Sequence, residues 1–220
     1  MHLVCQLANR GICDLFIISP GLIIGKSEDI PMGLFHKRPK QQMPNINEEI
    51  DRVLAVANVA AVELSCDLKL VIGKIEEAKQ LLQTIEPTLP LASTLKEISK
   101  QVYGSAITPG YVIPAIHAYV SVLEPVIKNP LRFQEPAQSE VLLNYYFHTY
   151  HCHQIEWLIE EAKQAGRKVL LSAKEGKIDQ ETALRQAKDY KQRAESAMLQ
   201  LQVEEKSRDT CAALLRNIVE

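Results

Sequence analysis

The sequence predicts a mainly α protein of long antiparallel helices, packed as a coiled-coil-like bundle or hairpin. Three observations carry this. Apolar side chains recur at alternating steps of three and four along three long stretches, Gly176 and Asp179 punctuate the last two of them, and no strand pattern of comparable length competes. Composition agrees: 46% of 220 residues are hydrophobic, which is too apolar for a disordered chain. Only 5% are aromatic and nine are glycine, which leaves little material for a base-stacking platform or Gly-rich phosphate loops. Lys+Arg 25 against Asp+Glu 27 gives a net charge of -2, so no global basic field is available to hold nucleic acid.

Residues 1–44 read as a separate segment. Leu15–Ile18 and Leu22–Ile24 flank Ser19-Pro20-Gly21, a turn sequence between two short strands. Lys26–Pro44 carries Pro31, Pro39 and Pro44 and reads as a linker, with His36-Lys37-Arg38-Pro39-Lys40 as a solvated basic knot. Arg10 and Asp14 interrupt the first apolar run, unlike an export signal, and no stretch supplies about 20 continuous apolar residues for a membrane span. Five cysteines, an odd number without C-x-x-C spacing, suggest reduced thiols and a cytoplasmic location.

Residues 45–220 read as the helical domain. A first helix is expected over about 45–86, opened by Asn45 or Asn47 with Glu48 and Glu49 at the positive end of the dipole. Its stripe is Ile46, Ile50, Val53, Ala57, Ala60, Leu64, Leu68, Val71, Ile75, Ala78, Leu82 and Ile85. It is a heptad pattern with one extra step of four at Leu68, ended by Pro87 and Pro90. Leu91, Leu95, Ile98 and Val102 predict a short helix over 91–103. Residues 106–130 fit two readings. Ala118, Val120 and Val122 alternate as in a short β element at 106–123, while Val112, Ile116, Tyr119 and Leu123 fit a helix starting near Pro114.

A long helix is expected over 137–174, on the stripe Val141, Tyr145, His148, Cys152, Ile155, Ile159, Ala162, Gly166, Val169 and Ala173. Gly176 suits its C-terminal cap and Asp179 the next N-cap, so a helix over 179–219 returns on it. The interaction seam of that last helix comprises Ala187, Ala194, Ala197, Leu201, Glu204 and Arg208. Its alanines allow close approach, and Glu204 and Arg208 pair locally or meet charges on a neighbour.

Tyr145–His153 is the cluster with site-like chemistry. His148 and Cys152 share one helical face and are zinc-ligand types, and His151 stands one residue off it. Two ligands make half a zinc site, and polar members of an aromatic core stripe is the reading favoured over metal. The P-loop, G-x-S-x-G, H-E-x-x-H and G-x-G-x-x-G motifs are absent, and the carboxylate pairs are sequence neighbours that diverge on a helix. No enzyme activity and no cofactor are expected. Trp157 reads as a core packing residue.

Part of the order of elements resembles one repeat of the TolC-like outer-membrane efflux factors. Ala78, Leu81, Leu82 and Pro87-Thr88-Leu89 resemble the end of that family's first helix. Val120–Val126 resembles the exit from its β-hairpin, and Glu175–Asp179 with Ala187, Ala194 and Leu199 its closing turn and helix. The resemblance spans about residues 50–218. It implies a trimerising export-duct subunit in the outer membrane, with 106–123 at the membrane. The residues themselves favour a non-enzymatic structural or interaction protein that uses long amphipathic surfaces for self-association or partner binding.

Overall fold

The computed structural model describes residues 43–64 and 67–220. The expected strand pair, the basic knot, Cys5, Cys13 and Cys66 lie outside the described residues. The described chain is mainly α, with six α-helices, a short 3-10 turn and, among the described residues, no strand.

Helix α1 spans Ile46–Glu63 and buries Ile46, Ile50, Val53, Ala57 and Ala60. Asn45 is its cap: the side chain accepts from the Asn47 N–H and donates to Glu48 Oε1 at 2.9 Å. The expectation of one helix over 45–86 is corrected, because α2 (Lys69–Leu82) is separate. The break falls on the extra step of four. Leu64 caps the end of α1 and is exposed, while Leu68 is buried and the Asp67 carboxylate accepts the Lys69 N–H at 3.3 Å. The polar residue at 67 starts a new helix, and α2 folds back until Lys79 pairs with Asp51. One stripe thus becomes two short ones, both buried in a shared core, with Ile75, Ala78 and Leu82 on the second.

Helix α3 (Leu89–Ser105) buries Leu91, Leu95, Ile98 and Val102, and Pro90 sits in its first turn, where no helical N–H bond is lost. Helix α4 (Pro109–Lys128) replaces the short β element at 106–123. Its alternation was no guide because the helix is buried nearly all round: Ala115, Ile116, Ala118, Tyr119, Val120, Val122, Leu123 and Val126 are all in the core. A helix that buries every face loses its period. α4 packs on α1, α2, α3 and the fifth helix and forms the centre of the unit. It is apolar and long enough to cross a membrane by composition, yet more than half of that stretch is buried inside the unit.

After the turn Pro130–Phe133 come the two longest elements, α5 (Pro136–Lys174) and α6 (Gln180–Val219). Gly176 sits at φ 72, and the Gly176 and Lys177 N–H groups donate to the Ala173 and Ser172 carbonyls, which closes the helix end. Asp179 then caps α6 by accepting the Thr182 N–H at 2.8 Å. The main core takes Leu142, Tyr146 and Tyr150 from α5 and, from α6, Leu215 with partly buried Ile218 and Val219. Farther along, Ile159, Gly166, Ala183 and Ala194 are buried outside that core, where α5 and α6 pack on each other. From Ile159 to Lys174 this arm is about 24 Å long at 1.5 Å per residue.

Candidate functional site

The aromatic and histidine cluster of α5 is divided between two neighbours by helical periodicity. Tyr146 and Tyr150, four residues apart, turn to the core with rings stacked at 6.1 Å, while His148 and His151 turn to α6. There Glu204 interrupts the apolar seam. His148 Nδ1 lies 2.7 Å from Glu204 Oε2, and His151 Nδ1 lies 3.8 Å from the same oxygen. One half-buried carboxylate therefore faces two imidazoles across the helix pair. Burial holds the His151 pKa below the usual imidazole value; Glu204 pulls it up, and His148 adds to the lowering.

The other predicted residues fall around this pair. Cys152 is buried, and burial pushes its thiol up to about 11, so it stays protonated at neutral pH. Arg208 pairs with its sequence neighbour Asp209 at 3.0 Å. His153 Nδ1 lies 3.1 Å from Glu156, and its ring is 5.9 Å from that of His117 on α4. Burial, and then His153, lowers the His117 pKa. Of the weak zinc candidates, His148 and His151 meet one carboxylate. Among the described residues no group of three or more His, Cys, Asp or Glu is placed to hold a metal ion.

Of the expected seam residues, Ala187, Ala197 and Leu201 are half-buried and Ala194 is buried, on the helix that packs against α5. At Gly166 an added Cβ would stand 3.6 Å from Tyr190 Cβ. Trp157 is a correction: it is 40% exposed and lies over Gly110 and Tyr111 of α4 at the edge of the core. The α5 and α6 helices also leave Leu170, Leu171, Leu184, Met198, Leu199 and Val203 exposed, Leu199 and Val203 each at 67%.

Sequence reasoning missed the contacts that join distant helices. Tyr103 donates to the Glu49 carboxylate at 2.8 Å, and Lys74 meets Glu124 at 2.6 Å. An apolar cleft of about 230 Å³ opens between Val56, Val59, Leu64, Ala106 and Val112. A groove of about 420 Å³ lies between Pro125, Lys128, Tyr145, Leu215 and Arg216. Each draws on two or three helices and has no local signature. In comparison with known proteins, no family model, no curated protein and no solved structure matches the chain.

Proposed function

We propose that this chain is a non-enzymatic helical interaction protein of the cytoplasm, and that α5 and α6 form an antiparallel coiled-coil-like hairpin presented to protein partners. One observation carries the reading. The arm has already filled its seam with Ile159, Gly166, Ala183 and Ala194, yet it still turns Leu170, Leu171, Leu184 and Leu199 to solvent. Apolar side chains repeated along a two-helix surface, beyond what closes the hairpin itself, are the material of a helix–helix interface. Glu204 between His148 and His151 supports the same reading as a polar contact that sets the pairing of the two helices.

Two other readings, a TolC-like duct subunit and a zinc-holding bundle, draw on no comparable observation. Residues 106–108 join α3 to α4 and 109–123 lie in α4, and His148, His151 and Glu204 are not placed as a group that could hold a metal ion. The test is photo-crosslinking in cells, with the reactive side chain placed at Leu171 or Leu199 and, as control, at exposed Lys100 on α3. Protein adducts from the arm positions and none from the control are expected. An arm as unreactive as the control would sink the proposal.

A further inference from the structure

The arm segregates charge along its length in a way the seam does not require. Between Lys163 and Arg193, across the tip, stand nine Lys and Arg against four Asp and Glu, a net of +5. Nearer the core the sign reverses. Residues 149–162 of α5 and 194–205 of α6 hold Glu156, Glu160, Glu161, Glu195, Glu204 and Glu205 and no Lys or Arg. Of the tip cations, only Lys177 and Lys191 make ion pairs among the described residues, with Glu175 and Glu195. The exposed apolar residues divide the same way: Leu170, Leu171 and Leu184 at the tip, Trp157, Met198, Leu199 and Val203 at the acidic level.

Face and height then agree. Lys163, Leu170, Lys191 and Met198 each stand four residues after a seam position, Ile159, Gly166, Ala187 and Ala194. In an antiparallel pair that shared offset puts both rows on one side, and Leu184 continues the α6 row at a spacing of seven. The middle of the basic stretch of α5 lies about twelve residues, or ~18 Å, beyond the middle of its acidic stretch.

We propose that this face docks a second copy of the chain, arm against arm and antiparallel, each basic tip lying on the acidic section of the other. The inference deepens the interaction reading above and rests on it. A two-fold axis near the level of Gln164 brings Lys163 and Arg167 of one copy to Glu156 and Glu160 of the other, and tip leucines to Met198 and Leu199. A parallel alignment would set like charges together over the same length. The overlap of about sixteen residues, some 24 Å long and two helices wide, covers roughly 500 Å² per copy. That is below the ~800 Å² of a standard stable interface, so the dimer is reversible and sensitive to salt.

The test is sedimentation velocity on the full chain over a concentration series, at about 50 mM and about 500 mM salt. Wild type is expected to dimerise at low salt, with Kd at least about tenfold weaker at high salt. Lys163→Glu/Arg167→Glu and Glu156→Lys/Glu160→Lys are each expected to be monomeric, with wild-type circular dichroism. Mixed together, they should dimerise again. A wild type that stays monomeric at low salt, a reversal on either side that leaves dimerisation intact, or a mixture that stays monomeric would overturn the inference. The crosslinking readout separates the two failures. A monomeric protein whose arm still forms adducts with other proteins loses only the second copy, whereas an arm without adducts removes the interaction reading as well.

Discussion

Replacing Gly110 by alanine tests whether Trp157 is held against the first turn of α4. A Cβ built on Gly110 would fall 2.5, 2.7 and 2.9 Å from three atoms at the outer edge of the Trp157 indole. Real Cβ atoms do not approach so closely, so either the ring swings outward or the helices separate. Overpacking of this kind costs about 1–3 kcal/mol. Against it, alanine in a helix gains up to about 1 kcal/mol over glycine, less in the first turn where Gly110 stands. Trp157 is 40% exposed and has room to move, which places the net loss near the lower end, about 1–2 kcal/mol. In a Trp157→Ala background the clash is gone, and the same substitution should stabilise by a few tenths of a kcal/mol. The cycle therefore predicts a coupling of roughly 2 kcal/mol. Urea unfolding followed by far-UV circular dichroism measures it. The emission of Trp157, the only tryptophan in the chain, should shift to the red in Gly110→Ala as the ring turns to water. Equal effects of Gly110→Ala in both backgrounds, with unchanged emission, would refute the packing argument.

Gly166→Ala should behave in the opposite way: its Cβ would meet Tyr190 Cβ at an ordinary 3.6 Å, so the helix gains about 0.5–1 kcal/mol, read as a higher urea midpoint. Tyr103→Phe removes a donor from the nearly buried Glu49 carboxylate and is expected to cost about 1–3 kcal/mol; Glu49→Gln/Tyr103→Phe should recover part of that loss in the same assay. Stability should also fall as pH drops through the imidazole range. The folded-state pKa values of His117 and His151 lie below their unfolded value of 6.5, so the unfolded chain takes up protons first. Their contribution is complete above pH ~6.5 and is lost as pH falls through the folded values. His117→Phe should flatten part of this slope in thermal melts across pH 7 to ~5, since burial and the neighbouring His153 hold the His117 pKa down.

Helix boundaries were most legible where capping chemistry is local. Asn45, Gly176 and Asp179 each act through backbone groups within three or four residues, and each stands where the sequence places it. The stripe of α3 was legible for a related reason: it presents one face to its neighbours, so burial keeps the helical period. α4 was half legible: Val112, Ile116, Tyr119 and Leu123 fit the helix, but most of its surface is apolar, so the alternation at 118–122 fitted a strand as well. The break between α1 and α2 was half legible. The extra step at Leu68 marked the place, but a heptad stripe reads the same whether its helix continues or folds back.

The candidate site divides along the same line. Glu204 and Arg208 stood out in the sequence as charges in an apolar seam, but which of them crosses to α5 depends on the height at which two 39- and 40-residue helices meet. That height places Glu204 between His148 and His151 and sets Arg208, paired with Asp209, near the Cys152 thiol. It also keeps Cys152 away from a ligand set and Trp157 at the edge of the core. By itself the sequence determined helical content and the caps, because periodicity and capping are interactions between near neighbours. Tertiary structure decided that α2 folds back on α1, that α4 is the centre, and which polar groups meet, because those depend on contacts between residues 28 to 56 positions apart.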